Sequence, residues 1–385
     1  MRILHVVPTY LPATRYGGPI YSVHGLCKAL AARGHEMHVY TTSVDGSGDS
    51  KVPYGVPVDL DGVKVWYFHS PFLRRLYWSP SMGRVLRANV GRFDVVHIHS
   101  VFLWPTHAAA RACWRAGVPY LLAPRGMLVP ELIRRRGWLR KSLWIRLLER
   151  AHIEHAAAVH VTSETEAVDL RRFGFRLPSI AVVPNGIEVS ASGTQEEIPR
   201  EENVILFLGR INWKKGLDRL LEAIARVPNA QVWIAGNDED NYLPTLHALV
   251  KKLAIAERVG FLGPVFGEQK QDLYRRATVF VLPSSSENFG NAVLEAMAEG
   301  CPVLVTPEVG LAPVIEQSGA GLVCQGDPSK LAVGIQTLLK DKSKRQEMGE
   351  TGRRVVQDGY SWDAVAARVE NCYQSVLSGK ATVIA

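Results

Sequence analysis

Two short apolar runs flanking a helix-length segment constrain this chain more than any other feature. Residues 278–306 read TVFVLPSSSENFGNAVLEAMAEGCPVLVT. The runs Val279–Leu282 and Val303–Val305 are rich in β-branched and bulky apolar residues and are preceded or followed by proline, which reads as buried parallel strands. Between them, residues 290–299 have helical spacing, with Gly300 as the C-cap. Strand, loop, helix and strand in that order make a βαβ unit. Glu287 falls in its loop and Glu295 in its helix, with seven residues between them. Asn291 and Glu295 are four apart and share one helical face. Open α/β sheets bind polar ligands at the carboxyl ends of their strands, beside helix N-termini. An isolated glutamate pair, taken alone, is more often a solvated helix surface.

The same alternation runs through the whole chain. Strands are predicted at residues 2–7, 35–42, 63–68, 95–99, 120–123 and 158–162, with helical periodicity over 20–33 and 106–116. A second series predicts strands at 204–208, 231–235, 259–262, 279–282 and 303–305, with helices over 217–227, 242–253, 268–277 and 291–299. Val183-Pro184-Asn185-Gly186-Ile187 and the polar stretch after it read as a linker. The predicted class is α/β: two Rossmann-like domains with parallel sheets, residues 1–184 and 185–360, enclosing an interdomain cleft that closes about the linker. A last helix over residues 362–377 follows the second domain, and patterning alone leaves its packing open.

Composition narrows the function classes. With 385 residues, 47% of them hydrophobic and 21% charged, the chain can build two full cores. No apolar run approaches the roughly 20 residues of a membrane span. The start, Met1 to Val7, reads as a first strand rather than a signal peptide. The five cysteines are scattered, with no C-x-x-C, so neither a disulfide framework nor a zinc site is indicated, and the expected location is the cytoplasm. The net charge of +8 is uneven. Residues 1–184 hold 24 Lys and Arg against 12 Asp and Glu, whereas residues 185–385 hold 21 against 25. The excess peaks at Arg134, Arg135, Arg136, Trp138, Arg140, Lys141, Trp144 and Arg146, which suggests that the two domains meet different partners.

Several short motifs carry chemistry. The strand over 204–208 runs into Gly209-Arg210-Ile211-Asn212-Trp213-Lys214-Lys215-Gly216 and then a helix. Glycines allow close backbone approach, a helix N-terminus favours negative charge, and Arg and Lys add charge-assisted bonds, so this loop suits an anion. It is not a Walker A loop. Gly17-Gly18 is the matching loop of the first domain, a weak signal alone because any tight turn explains it. His97 and His99 share one strand face, with His99 nearest the carboxyl end, although a lone strand-end histidine is more often structural. Asp238-Glu239-Asp240 looks superficially like a metal-binding D-x-D and reads better as a solvated acidic loop.

Together these pieces resemble the retaining glycosyltransferases of family 4, with the GT-B fold. The resemblance covers essentially the whole chain. It rests on Gly17-Gly18, on Asp94 to His99, on Pro184-Asn185-Gly186-Ile187, on Gly209-Arg210 with Lys215-Gly216, and on the Glu287/Glu295 spacing around Phe289-Gly290-Asn291. It implies a nucleotide diphosphate sugar, UDP- or GDP-linked, as donor. Arg210 and Lys215 would stabilise charge on the leaving diphosphate without a metal ion or other cofactor, helped by the Gly17 and Gly18 amides. Glu287 would meet the donor sugar, with the amides of Phe289, Gly290 and Asn291 close by. Glu295 would hold the ribose, His99 would lie near the transferred sugar, and the backbone of Val265 would lie near the base. The resemblance implies retention by front-face attack, and a C-terminal helix, residues 361–385, that crosses back to the first domain.

Pro124-Arg125-Gly126-Met127-Leu128, the basic Trp-containing segment after it, and Thr162-Ser163-Glu164 resemble transferases of bacterial surface-polysaccharide assembly. The implied acceptor is a glycan or a polyprenyl-linked sugar. Trp138, Leu139, Leu143, Trp144 and Leu147 could line one face of a helix lying on an anionic membrane, or the helix could cover the core with a basic outer face. A nucleotide-sugar epimerase on the same fold is the enzyme alternative. A phosphorylase lacks its lysine motif here, and a dehydrogenase lacks G-x-G-x-x-G. A nucleic-acid-binding protein is the non-enzyme alternative; the positive charge is local and no recognition motif accompanies it, so no nucleic-acid partner is expected.

Overall fold

The computed structural model describes residues 1–14, 17–135, 137–189, 199–238 and 240–379, without the side chain of residue 135. The chain divides into two compact units, Met1–Gly186 with Trp362–Ala385, and Ile187–Ser361.

The first unit contains β1 (Arg2–Val6), β2 (Glu36–Thr42), β3 (Val44–Asp45), β4 (Gly48–Asp49), β5 (Val58–Leu60), β6 (Val63–Phe68), β7 (Val95–His99), β8 (Tyr120–Ala123), β9 (Ala158–Val161) and β10 (Ser179–Val182). Eight of these form one sheet in the order β10-β9-β8-β7-β1-β2-β6-β5, parallel except for the β5–β6 edge, and β3 pairs with β4 in a small hairpin. The order reverses beside β1, the switch point at which doubly wound sheets leave a crevice. The sheet is buried on both faces, which explains its unbroken apolar strands. Leu4, Val96, Ile98, Leu122 and Val159 enter one layer, and Ile3, Val95, Leu121 and Ala158 enter the other. Strand β10 was not expected from the sequence; its four residues are too few for a pattern, and pairing with β9 defines it.

The helix Trp362–Leu377 completes the second of those layers. Val365, Ala366, Val369, Cys372 and Tyr373 are buried with Ile3 and Val95, and the helix packs on the helix Gly18–Ala32. Arg33 donates to Asp363 at 2.9 Å and to Glu370 at 2.9 Å. At its start the Trp362 indole fits between two glycines. A Cβ at either Gly25 or Gly186 would lie within 3.0 Å of the ring. A side chain at Gly25 must therefore displace the indole.

Four histidines stand on the face that this helix covers: His5 on β1, His97 and His99 on β7, and His160 on β9. They occupy the inward positions of the strand alternation, two residues on from Ile3, Val95 and Ala158, and His5 is the register partner of His97. His99 Nε2 lies 3.0 Å from His5 Nδ1, and His5 Nε2 lies 3.1 Å from the Tyr373 hydroxyl. That hydroxyl is 2.8 Å from His97 Nδ1, and His97 Nε2 is 3.1 Å from His160 Nδ1. His160 Nε2 reaches the Val183 carbonyl at 2.8 Å. At the other end Arg125 approaches His99 Nδ1 through Nε at 3.3 Å and a terminal nitrogen at 3.1 Å. Burial, reinforced by the Arg125 charge, pushes His5 and His160 down to about 3. Burial and neighbouring cationic forms hold His97 and His99 well below their ordinary value. The four rings are neutral.

The second unit contains β11 (Val204–Leu208), β12 (Gln231–Ala235), β13 (Val259–Gly263), β14 (Val279–Leu282), β15 (Val303–Val305) and β16 (Gly321–Val323). They form a wholly parallel sheet in the order β13-β12-β11-β14-β15-β16. Its core is continuous, and the helix Leu217–Ala225 contributes Leu217, Leu220, Leu221 and Ile224 from one face. Helices Ala312–Ser318, Pro328–Lys340 and Lys342–Gly359 finish the unit. The order reverses between β11 and β14, so the loops following those two strands flank the switch point.

Two stability outcomes follow from this packing. Gly25→Ala should destabilise the protein by about 1–3 kcal/mol, as overpacking does, read from the urea midpoint. Stability should also fall as pH drops from about 6.5 towards 3, because unfolded histidines bind protons that the folded ones exclude. Urea midpoints between pH 7 and 5, above the titration of most carboxylates, check this; a flat or rising profile there contradicts it.

Candidate active site

The second unit gathers Arg210, Lys215, Glu287, Phe289, Gly290, Asn291 and Glu295 around its switch point. After β11 the chain passes Gly209 and exposed Arg210, and a short 3-10 turn, Trp213–Lys215, follows. Buried Asn212 caps that turn, its side chain accepting from the Lys214 amide at 3.1 Å. Gly216 then adopts a φ of +66°, and a Cβ there would collide with the Pro283 carbonyl. Only glycine allows so close an approach in that conformation. The contact draws the basic loop against the loop after β14. Ser285 donates its amide to the Lys214 carbonyl at 2.7 Å and its hydroxyl to the same oxygen at 3.1 Å. Beside them the Lys215 ammonium and the Glu287 carboxylate form a direct ion pair, both side chains partly exposed.

The glutamate loop is also held from the β15 side. The Glu287 amide donates to the Glu308 carbonyl at 3.1 Å, and the Gly310 amide donates to the Glu287 carbonyl at 2.9 Å. The Leu311 amide donates to the Phe289 carbonyl at 3.1 Å, and Phe289 itself is buried. Gly290, at a φ of +105°, opens the helix Asn291–Ala298. One turn in, Glu295 accepts from the Lys270 ammonium at 2.7 Å and from the Tyr274 hydroxyl at 2.9 Å. Burial, with the Glu295 charge beside it, raises Tyr274 well above the ordinary phenol value, so it donates as a neutral hydroxyl.

Lys270 and Tyr274 were missed from the sequence. They lie four apart on the helix Gly267–Arg276, a spacing that puts two polar groups on one face, but nothing local says that this face meets Glu295. Val265 is buried in the core of this unit, on the loop after β13. Asp238 accepts from the Tyr242 and Leu243 amides at 2.7 and 3.1 Å, so it caps the helix Leu243–Lys252; Glu239 lies outside the described residues.

In the first unit Gly17 and Gly18 begin the helix Gly18–Ala32, with Gly17 at a φ of +67°. His99 ends β7 but is only 2% exposed, with both ring nitrogens engaged in the histidine chain. His5, His97 and His99 bring ligand atoms within 4.8 Å of one another, a grouping found in metal sites. Here those nitrogens already meet each other, Tyr373 and Arg125.

The basic segment forms the helices Pro130–Arg135 and Trp138–Trp144, then a π-helical turn, Ile145–Glu149. Trp138, Leu139, Leu143 and Leu147 are 56, 66, 58 and 64% exposed, with Arg134, Arg140 and Arg146 also at the surface. Lys141 is half-buried, its ammonium 5.8 Å from the centre of the Phe102 ring. Trp144 departs from the expected stripe. It is half-buried because its indole N–H donates to the buried Glu149 carboxylate at 2.8 Å, which also accepts the Phe102 amide at 2.6 Å. The side chain of Arg135 and all of Arg136 lie outside the described residues. Among the described residues no helix is long and apolar enough to cross a membrane.

Residues 17–186 match the family model of the glycosyl transferase 4-like domain, and residues 191–355 match that of glycosyl transferases group 1. An uncharacterized glycosyltransferase of Methanocaldococcus jannaschii is 29% identical over 98% of this chain and 99% of its own length. Sucrose-phosphate synthase from Thermosynechococcus elongatus has a similar structure, with a TM-score of 0.80, 22% identity, and coverage of 99% of this chain and 100% of that one. HepE of Anabaena in complex with UDP-glucose gives a TM-score of 0.75 at 19% identity, covering 97% of this chain and 100% of that one. With one glycosyltransferase domain matched in each half, and two parallel α/β units arranged in sequence as in those structures, the chain belongs to the glycosyltransferases of the GT-B fold.

Proposed function

We propose that the protein transfers a sugar, with retention, from a UDP- or GDP-linked sugar to a glycan or polyprenyl-linked acceptor in surface-polysaccharide synthesis. The observation that carries this reading is the Lys215–Glu287 ion pair at the switch point of the second unit. It sets a fixed cation and a carboxylate side by side where such sheets take nucleotides. The UDP-glucose complex of the structurally similar HepE supports a nucleotide sugar as donor.

Under this reading the cleaving glycosidic bond leaves negative charge on the diphosphate. Arg210 and Lys215 meet that charge, and pre-set cations of this kind need no reorganisation as it develops. Glu287 engages Lys215 through one oxygen and has lone pairs left for sugar hydroxyls. Glu295, oriented by Lys270 and Tyr274, likewise has acceptor capacity left for the ribose. The leaving phosphate oxygen takes the acceptor proton, so no protein nucleophile or metal ion is required. The exposed Trp138, Leu139, Leu143 and Leu147, set among arginines, form an apolar face with basic flanks that would rest on an anionic lipid surface at the inner face of the membrane.

Thermal stabilisation by a panel of UDP-, GDP- and dTDP-sugars in EDTA tests the donor. One nucleotide class should raise Tm without added metal; silence across the panel, or complete dependence on a divalent ion, sinks the reading. Arg210→Ala should lower turnover about 100- to 1000-fold. Glu295→Ala should weaken donor binding by about tenfold or more, the worth of a charged hydrogen bond. For the surface, replacing Leu139, Leu143 and Leu147 by serine should reduce binding to anionic vesicles by at least about tenfold. Unchanged sedimentation with such vesicles would remove the membrane from the proposal.

A further inference from the structure

The histidine chain has a direction, and its two ends set it independently. A guanidinium can only donate, so the Arg125 contacts require a lone pair on His99 Nδ1. A neutral imidazole then carries its proton on Nε2, and His99 Nε2–H donates to His5 Nδ1. His5 Nε2–H in turn donates to the Tyr373 hydroxyl, which donates to His97 Nδ1. His97 Nε2–H donates to His160 Nδ1, and His160 Nε2–H donates to the Val183 carbonyl, which can only accept. Counting back from that carbonyl gives the same four tautomers. Every imidazole uses its one proton and its one lone pair, so the lone pairs a metal ion would need on His5, His97 and His99 are already taken.

The chain ends on an unusual cation. Arg125 lies two residues past the end of β8, is half-buried, and holds a φ of +56°, a left-handed conformation that is strained for a non-glycine residue and concentrated at functional sites. Its partners, His99 Nδ1 and Asn185 Oδ1 at 2.9 Å, are both uncharged. Among the described residues it makes no ion pair with a carboxylate. The nearby acid, Glu166, is directed to other groups, accepting from the Gly126 amide at 2.6 Å and from the Thr162 amide and hydroxyl at 2.8 and 3.0 Å. Beyond Arg125 and Glu166, the titratable groups around the chain are Cys27 on the helix Gly18–Ala32, and Cys372 and Tyr373 on the C-terminal helix, all held protonated by burial.

We infer that Tyr373, His5, His97 and His160 are positioning residues: through one polarised chain they fix His99 as the Nε2–H tautomer, and His99 holds the Arg125 guanidinium at the carboxyl end of the sheet through uncharged hydrogen-bond partners. Tyr373 is the only member supplied by the C-terminal helix, so docking of that helix sets the aim of a cation attached far away in sequence. The inference rests on the transferase reading only for the reaction that Arg125 serves; the geometry of the chain can be tested without it.

The test is histidine and arginine side-chain NMR near neutral pH on the full chain. In the wild type His5, His97, His99 and His160 should all appear as neutral Nε2–H tautomers, and the Arg125 Nε–H should be protected from exchange. Tyr373→Phe keeps the ring but removes the link, so the His97 lone pair loses its donor and Arg125 Nε–H exchange should quicken by at least about tenfold. His97→Gln, whose amide oxygen accepts and whose NH2 donates, should preserve Arg125 protection, whereas His97→Leu should lose it. This pair decides the matter if Tyr373→Phe does not fold. A wild-type Nδ1–H tautomer at any of the four, or Arg125 protection unchanged in both Tyr373→Phe and His97→Leu, overturns the inference. Where transfer is measurable, kcat should fall about tenfold in Tyr373→Phe and His97→Leu and recover in His97→Gln. Absence of any transfer in the wild type would count against the proposed function and leave the NMR result standing.

Discussion

Parallel strands cannot be joined by a tight turn, and most of this structure follows from that. Successive parallel strands must be joined by a crossover, and the crossovers place helices over both faces of the sheet. Where their direction reverses, beside β1 in the first unit and between β11 and β14 in the second, adjacent loops separate and leave their polar groups open. The second unit puts Arg210, Lys215 and Glu287 on those loops. The first ends β7 on His99 and β8 on the approach to Arg125. Arg210, Lys215 and Glu287 sit where the topology leaves backbone and side chains uncovered by helices, whereas His99 lies beneath the C-terminal helix.

Placement of that kind becomes useful only if the loops are rigid. In the second unit rigidity comes from backbone contacts rather than from large side chains. Gly216 rests on the Pro283 carbonyl, Ser285 hydrogen-bonds the Lys214 carbonyl, and residues 287–289 are bonded to residues 308–311. The Lys215–Glu287 pair therefore joins two loops already fixed to each other and to the strand ends. An ion pair between mobile, exposed side chains contributes little; one that is pre-set by its backbone can act as a fixed electrostatic feature.

The first unit meets the opposite problem, polar groups inside an apolar layer. Four imidazoles, a phenol and a guanidinium share the face covered by the C-terminal helix. Burying any of them unpaired would be costly. The solution is a chain in which each donor has an acceptor, begun by a group that only donates and closed by one that only accepts. Such a network specifies one arrangement, because reversing any single ring leaves two bonds unmade. Trp362, held between Gly25 and Gly186, fixes the start of the same helix.

Much of this was legible in the residues themselves. Val204–Leu208, Gln231–Ala235 and Val279–Leu282 are strands over the residues their apolar runs mark out, and Trp362–Leu377 is a helix as its periodicity predicts. The short strand β10 was not legible, and neither was the inward turn of Trp144, which the buried Glu149 carboxylate dictates. The same holds for the partners of Glu295 and for the company His99 keeps, whereas the return of the last helix to the first unit, left open by patterning, is what the family resemblance implied. By itself the sequence determined the elements and the motif positions, because hydrophobic period, caps and glycines act over a few residues. Which distant side chains met, Lys270 with Glu295 and Tyr373 with His5 and His97, was decided only by tertiary structure, because strand register and helix docking bring together groups that no local pattern connects.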